Sequence, residues 1–99
     1  MRVLQLHRGE NGKKYSIHGL PVGPAIQFGD IRYEDYTQHG DKARKERYLA
    51  RHAPRENWTE YGMHSAGFWA RHLLWNKKTL AASIRDVERQ FGIKIDNRT

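Results

Sequence analysis

Gly67-Phe-Trp-Ala-Arg-His-Leu-Leu-Trp-Asn76 holds two of the chain's three tryptophans, and wound as a helix it is apolar on nearly every side, with only Arg71 and His72 clearly polar. A helix of that kind is buried by its neighbours, so this stretch marks the centre of the fold. Ser65 stands where an N-cap belongs, and the spacing predicts a helix over 66–75 with Phe68, Trp69, Leu73, Leu74 and Trp75 in the core. With 99 residues and no cysteine, the chain must be stabilised by such side chains and not by disulfides. Its 37% hydrophobic and 11% aromatic content suffices for a single domain spanning 1–99.

Downstream, Thr79 can cap a helix over 79–91 whose Leu80, Ile84, Val87 and Phe91 recur with helical period, and Gly92 suits the C′ position. Ile93-Lys-Ile95 alternates like a short edge strand, after which Asp96 to Thr99 is expected to fray. Upstream, Asp41 can cap a helix over 41–53 that ends before Pro54, and Arg55 to Gly62 reads as a loop pinned by Trp58. Residues 29–40 form a connector with at most one helical turn. Residues 1–28 contain three short runs of mostly alternating character around Leu4, Ile17 and Phe28, separated by turns at Gly9–Gly12 and Gly19–Pro24. The predicted class is therefore α+β: a small N-terminal antiparallel β-meander packed on a three-helix C-terminal region. A sheet this small needs those helices to cover its apolar face.

Eighteen Lys and Arg against eleven Asp and Glu give a formal charge of +7, which draws polyanions or acidic proteins through a field that salt screens. No apolar run approaches the ~20 residues a membrane-spanning helix needs, and Met1-Arg-Val-Leu-Gln-Leu-His7 is too short and polar for a signal peptide. The expectation is a soluble protein of an intracellular or virion-interior setting.

The charge is concentrated. Between Asp41 and Arg55, six basic residues (Lys42, Arg44, Lys45, Arg47, Arg51 and Arg55) face two acidic ones, Asp41 and Glu46, a local excess of +4. On a helix Arg44, Arg47 and Arg51 form a stripe suited to phosphates, which guanidinium forks grip with paired hydrogen bonds. The plainer reading is a solvated face paired with Glu46, Glu56 and Glu60. Trp58 and Tyr61, lying in a loop, are the aromatics best placed for an exposed contact. The candidate surface for a nucleic acid or acidic partner is thus Lys42, Arg44, Lys45, Arg47, Arg51, Arg55 and Trp58.

No catalytic constellation stands beside it. The six histidines have no i, i+4 pair of the helical zinc type, and no glycine-rich phosphate loop or nucleophile elbow occurs. Asp30, Glu34 and Asp35 cluster at a spacing that could hold Mg²⁺, but a lone acidic cluster in a connector is weak support for an active site. The expectation is a non-enzymatic protein with no metal and no cofactor.

The run Tyr33-x-Asp35-Tyr-Thr-x-His39-x-Asp41, then Arg47-Tyr-Leu-x-Arg51-His, then Glu56-Asn-Trp58, then Ala66-Gly-Phe-Trp69-x-Arg71-x-Leu-Leu-Trp75-Asn-Lys, resembles a family of small proteins encoded by large double-stranded DNA viruses of algae and protists. The likeness covers about residues 28–95 and leaves the N-terminal meander outside. Lys78 stands where the family pattern often has proline. The family has no assigned activity, so the resemblance implies a viral setting and carries over no catalytic residue. That setting, joined to a small basic domain, gives the expected function: a virion component of the minor capsid or cement type, contacting capsid subunits and packaged DNA through the basic helix. The alternative is a soluble nucleic-acid-binding accessory protein with the Arg/Lys stripe on phosphates.

Overall fold

The computed structural model describes residues 2–21 and 23–99. Met1 lies outside the described residues, as does Val22 of the turn expected at Gly19–Pro24. Three strands open the chain: β1 (Arg2–Arg8), β2 (Lys13–His18) and β3 (Ile26–Asp30). Asn11 and Gly12 turn β1 into β2 with positive φ values of 54° and 84°, the conformation for which an Asn-Gly pair is suited. Both β1–β2 and β2–β3 pair antiparallel, with Leu6 opposite Ile17 and Tyr15 opposite Phe28. The expected α+β class and its N-terminal meander hold.

The sheet nevertheless has a fourth strand with a direction that the sequence did not disclose. β4 (Ile93–Asn97) pairs parallel to β1, from Arg2 opposite Ile93 to Leu6 opposite Asn97, giving the order β3-β2-β1-β4. Alternation signals a strand but says nothing about its partner, and a parallel partner requires a long crossover, here everything between β1 and β4. The expected fraying after Ile95 is corrected for the same reason. The Arg98 amide donates to the Leu6 carbonyl at 2.8 Å, and Arg8 Nε donates to the Thr99 carbonyl at 3.3 Å.

Between β3 and β4 lie α1 (Tyr36–His39), α2 (Lys42–His52), α3 (Ala66–Trp69) and α4 (Leu80–Phe91). Asp35, Asp41, Ser65 and Thr79 each accept hydrogen bonds from the first-turn amides of these helices, and Gly92 ends α4 in the left-handed region. Leu4, Leu6, Ile17, Phe28, Ile93 and Ile95 from the sheet meet Phe68, Trp69, Leu73, Leu74, Ile84 and Val87 in one buried cluster.

The central helix departs from the expected single α-helix over 66–75. After Trp69 it widens into a π-helical segment, Ala70–Leu74, with the Trp75 amide donating five residues back to Ala70. His72, Leu73 and Leu74 are three consecutive buried residues, so the segment is enclosed on more than one side and His72 belongs to the interior. Trp69 is fully buried and its indole nitrogen donates to the Met63 carbonyl at 2.8 Å. Trp75 differs from its expected place in the core. It is half-buried and lies flat on Tyr48 of α2, with rings 4.3 Å apart and 4° from parallel.

These positions predict unequal costs. Trp69→Ala is expected to lower stability by about 3–5 kcal/mol in urea unfolding, and Trp75→Ala by clearly less because its ring is already partly exposed. Equal losses would contradict the burial difference.

Candidate functional site

Helix α2 carries the basic residues, and three joints set its position. At the first, Lys14 of β2 places its ammonium 2.6 Å from the Asp35 carboxylate and 2.7 Å from Gln38 Oε1. Asp35 is buried, caps α1 by accepting from the Thr37 amide, and its own amide donates the reciprocal bond of a capping box to Gln38 Oε1. Two residues after α1, the Asp41 amide donates to His39 Nδ1 while the Asp41 carboxylate caps α2, so one helix hands directly to the next. At the second joint Lys45 donates to the Asn76 carbonyl at 2.6 Å with its ammonium 5.0 Å from the Tyr36 ring centre. The third is the Tyr48–Trp75 stack, extended by His52 at 4.2 Å on one side and His39 at 5.4 Å on the other.

Held this way, α2 stands off the sheet and bounds an open cleft of about 640 Å³. Arg44, Arg47 and Arg51 line it from α2, and Lys13 and Lys14 line it from β2. The stripe expected from spacing therefore exists on one side of α2 and faces a groove. Sequence reasoning missed the two lysines opposite. Their adjacency just after the Asn11-Gly12 turn was visible, but which element they would face depends on the β2–β3 pairing and the Lys14–Asp35 contact.

The candidate residues separate on this geometry. Arg47 and Arg51 are exposed and make no ion pair among the described residues, and neither do Lys13, Lys42 and Arg55. Arg44 pairs with Glu34 at 3.6 Å on the surface, a weak contact a ligand can displace, and not with Glu46, Glu56 or Glu60 as the plainer reading expected. Lys45 is committed to Asn76 and Tyr36; burial and the nearby Arg71 hold its pKa below the ordinary lysine value. Lys42, Lys45, Arg55 and Trp58 do not line the cleft.

Trp58 is half-buried, with the Arg71 guanidinium 5.5 Å from its ring centre and its carbonyl accepting from His72 Nε2 at 2.9 Å. It is a wall of the fold and not an open stacking platform. Tyr61 by contrast is 82% exposed. His72 packs against the rings of Phe68 and Phe91, and burial depresses its pKa below the ordinary histidine value.

The acidic trio does not converge. Asp30 is bound by Arg32 at 2.7 Å, and the hydrogen bonds of that guanidinium and of the Arg32 amide draw its carboxyl down to about 2. Glu34 goes to Arg44 and Asp35 to Lys14, and no group of three His, Asp or Glu side chains able to hold a metal ion occurs among the described residues. No helix is long and apolar enough to cross a membrane among the described residues. In the cleft, burial and then the neighbouring Glu56 carboxylate push the Tyr48 phenol up to about 12, so it stays neutral and remains a hydrogen-bond donor.

Residues 8–52 match a family described only as a family of unknown function, DUF5754. The matched span takes in β2, β3, α1 and α2, and so includes the Lys13–Lys14 side of the cleft as well as the arginine stripe. No curated protein and no solved structure matches the chain.

Two outcomes follow from the buried groups. Lys14→Met leaves the Asp35 carboxylate in the interior without its cation and is expected to cost about 3 kcal/mol in chemical denaturation; a loss near zero would mean the pair does not join sheet to helix. Folded His72 releases its proton more readily than the unfolded chain does, so as pH falls below about 6.5 the unfolded state takes up protons first and stability drops. The denaturation midpoint is expected to fall between pH 7 and pH 5, with a shallower fall in His72→Gln; identical slopes would remove His72 from the cause.

Proposed function

We propose that this is a non-enzymatic protein that binds nucleic acid through the α2 side of the cleft, acting as a minor structural component of a virion. The observation that supports binding most directly is the set of cations without an ion pair among the described residues: Arg47 and Arg51 on one side of α2, one helical turn apart, with Lys13 of β2 lining the same groove. Unpaired guanidinium groups lined up along a groove suit a chain of phosphates, where each contact releases a counterion. The viral setting rests on the likeness of the Tyr33–Asp41 and Ala66–Lys77 motifs to proteins of large DNA viruses. Within it, packaged DNA is the polyanion at hand, and capsid subunits are the other partner. An acidic capsid surface suits the same cations less well, because Glu56 stands in the groove and repels carboxylates.

The second reading, a soluble accessory factor, uses the same residues on the same phosphates. Mass spectrometry of purified particles separates the two. The virion reading expects the protein at a stoichiometry tied to capsid symmetry, and its absence from particles leaves only the accessory role.

Binding itself has a salt signature. With Lys13, Arg47 and Arg51 each neutralising one phosphate, affinity for DNA is expected to fall about 20- to 40-fold between 50 and 200 mM salt. Arg47→Ala is expected to weaken binding across sequences and to reduce the slope of log affinity against log salt by about one. If Arg47→Glu combined with Arg51→Glu leaves DNA binding unchanged, the proposal fails.

A further inference from the structure

The cleft has a floor that phosphate binding leaves unused. Ala66, Ala70 and half-buried Trp75 give it a largely apolar base over the buried Phe28 and Leu74, and Gly29 and Gly67 keep that base low. The glycines are tightly constrained. A Cβ on Gly29 would come within 2.7 Å of Leu74 Cδ1, and one on Gly67 would collide with the Glu56 carboxylate. Glu56 thus lies against the start of α3 inside the cleft, half-buried and without an ion pair among the described residues. At the rim Tyr33 is 66% exposed, with the Arg32 guanidinium 5.6 Å from its ring centre.

Duplex DNA presents its phosphates outward with its bases stacked inside, so it would engage the arginines and leave this floor wet. An acidic peptide would meet Glu56 as a like charge. An unpaired nucleotide brings both halves that the cleft offers to hold: a flat apolar ring for the floor and a phosphate for the cationic wall. The volume, about 640 Å³, lies within the usual range of small-ligand clefts and has room for a base with its sugar. Arg47 and Arg51 sit one helical turn apart, which favours a strand with successive phosphates over a free mononucleotide.

We propose that the cleft receives an unpaired base of a single-stranded nucleic acid, its ring over Ala66, Ala70 and Trp75, its flanking phosphates on Arg47 and Arg51, and an amino group of the base donating to Glu56. This deepens the phosphate-binding reading and rests on it.

The test compares three labelled probes of about 20 nucleotides by fluorescence anisotropy at one salt concentration: an ordinary single strand, a strand of equal charge with abasic sites, and a duplex. The ordinary strand is expected to bind about tenfold tighter than the other two. Equal binding of ordinary and abasic strands overturns base insertion while leaving phosphate binding in place, and no binding of any probe overturns both. Ala66 is exposed at the floor and outside the core, so Ala66→Leu, confirmed folded by its melting curve, is expected to lower the ordinary strand to the abasic level and leave the abasic strand unchanged. An unchanged preference in that variant overturns the placement of the base. Oligo-dC, which has an amino group, is expected to bind tighter than oligo-dT, and the reverse order removes Glu56 from the contact.

Discussion

The contact between Lys14 and Asp35 is where the sheet takes hold of the helices. Both side chains are largely withdrawn from water, at 13% and 4% exposure, and each has a further partner, so the pair is satisfied and not merely adjacent. Breaking one half would leave a charge in the interior, which makes the joint specific about geometry even where its net contribution to stability is small. From it the order of construction follows: Asp35 caps α1, His39 at the end of α1 accepts from Asp41, and Asp41 caps α2. The helix that bears the arginines is therefore aimed by a chain of polar contacts that begins on β2.

At its other side α2 is held by the central helix. The π-helical turn at Ala70–Leu74 brings Trp75 flat against Tyr48, and Asn76, itself buried, donates to the His72 carbonyl and to Asp86 while its carbonyl accepts from Lys45. The Trp75-Asn76-Lys77 string thus has a physical content. Asn76 ties the end of the central helix to α4 and α2, and the Lys77 amide donates to buried Ser83. Because α2 is clamped along this line and at α1, and not laid on the sheet, space remains between it and β3. That space is the cleft.

Much of this was legible in the sequence, and what was not has a common cause. Caps at Asp41, Ser65 and Thr79, the Asn11-Gly12 turn, the Gly92 stop and the periodic residues of α4 are local signals, each decided within a few positions. The arginine stripe was readable in the same way, since i, i+3 and i+7 share a side of any helix. Four features depended on distant partners and were not readable: the parallel pairing of β4 with β1, the burial of His72 by Phe91, the commitment of Lys45 to Asn76, and the arrival of Lys13 and Lys14 opposite α2. Trp58 was misplaced for a related reason. Loop residues are commonly exposed, but Arg71 and His72 come from the central helix to enclose this one.

The picture that results separates stability from recognition within one segment. Trp69 and Leu73 hold the core, Trp75 and Tyr48 hold α2 in place, and Arg47, Arg51 and Lys13 line the walls of a groove with an apolar floor. The most direct test of that division is a backbone-amide NMR titration with a single-stranded oligonucleotide. Shift changes are expected along Lys13–Lys14, Arg44–His52 and Ala66–Ala70, and to be absent from the exposed Val3–Lys94 pairing at the other side of the sheet. Shifts centred on Val3 and Lys94, or none at saturating oligonucleotide, would contradict the account.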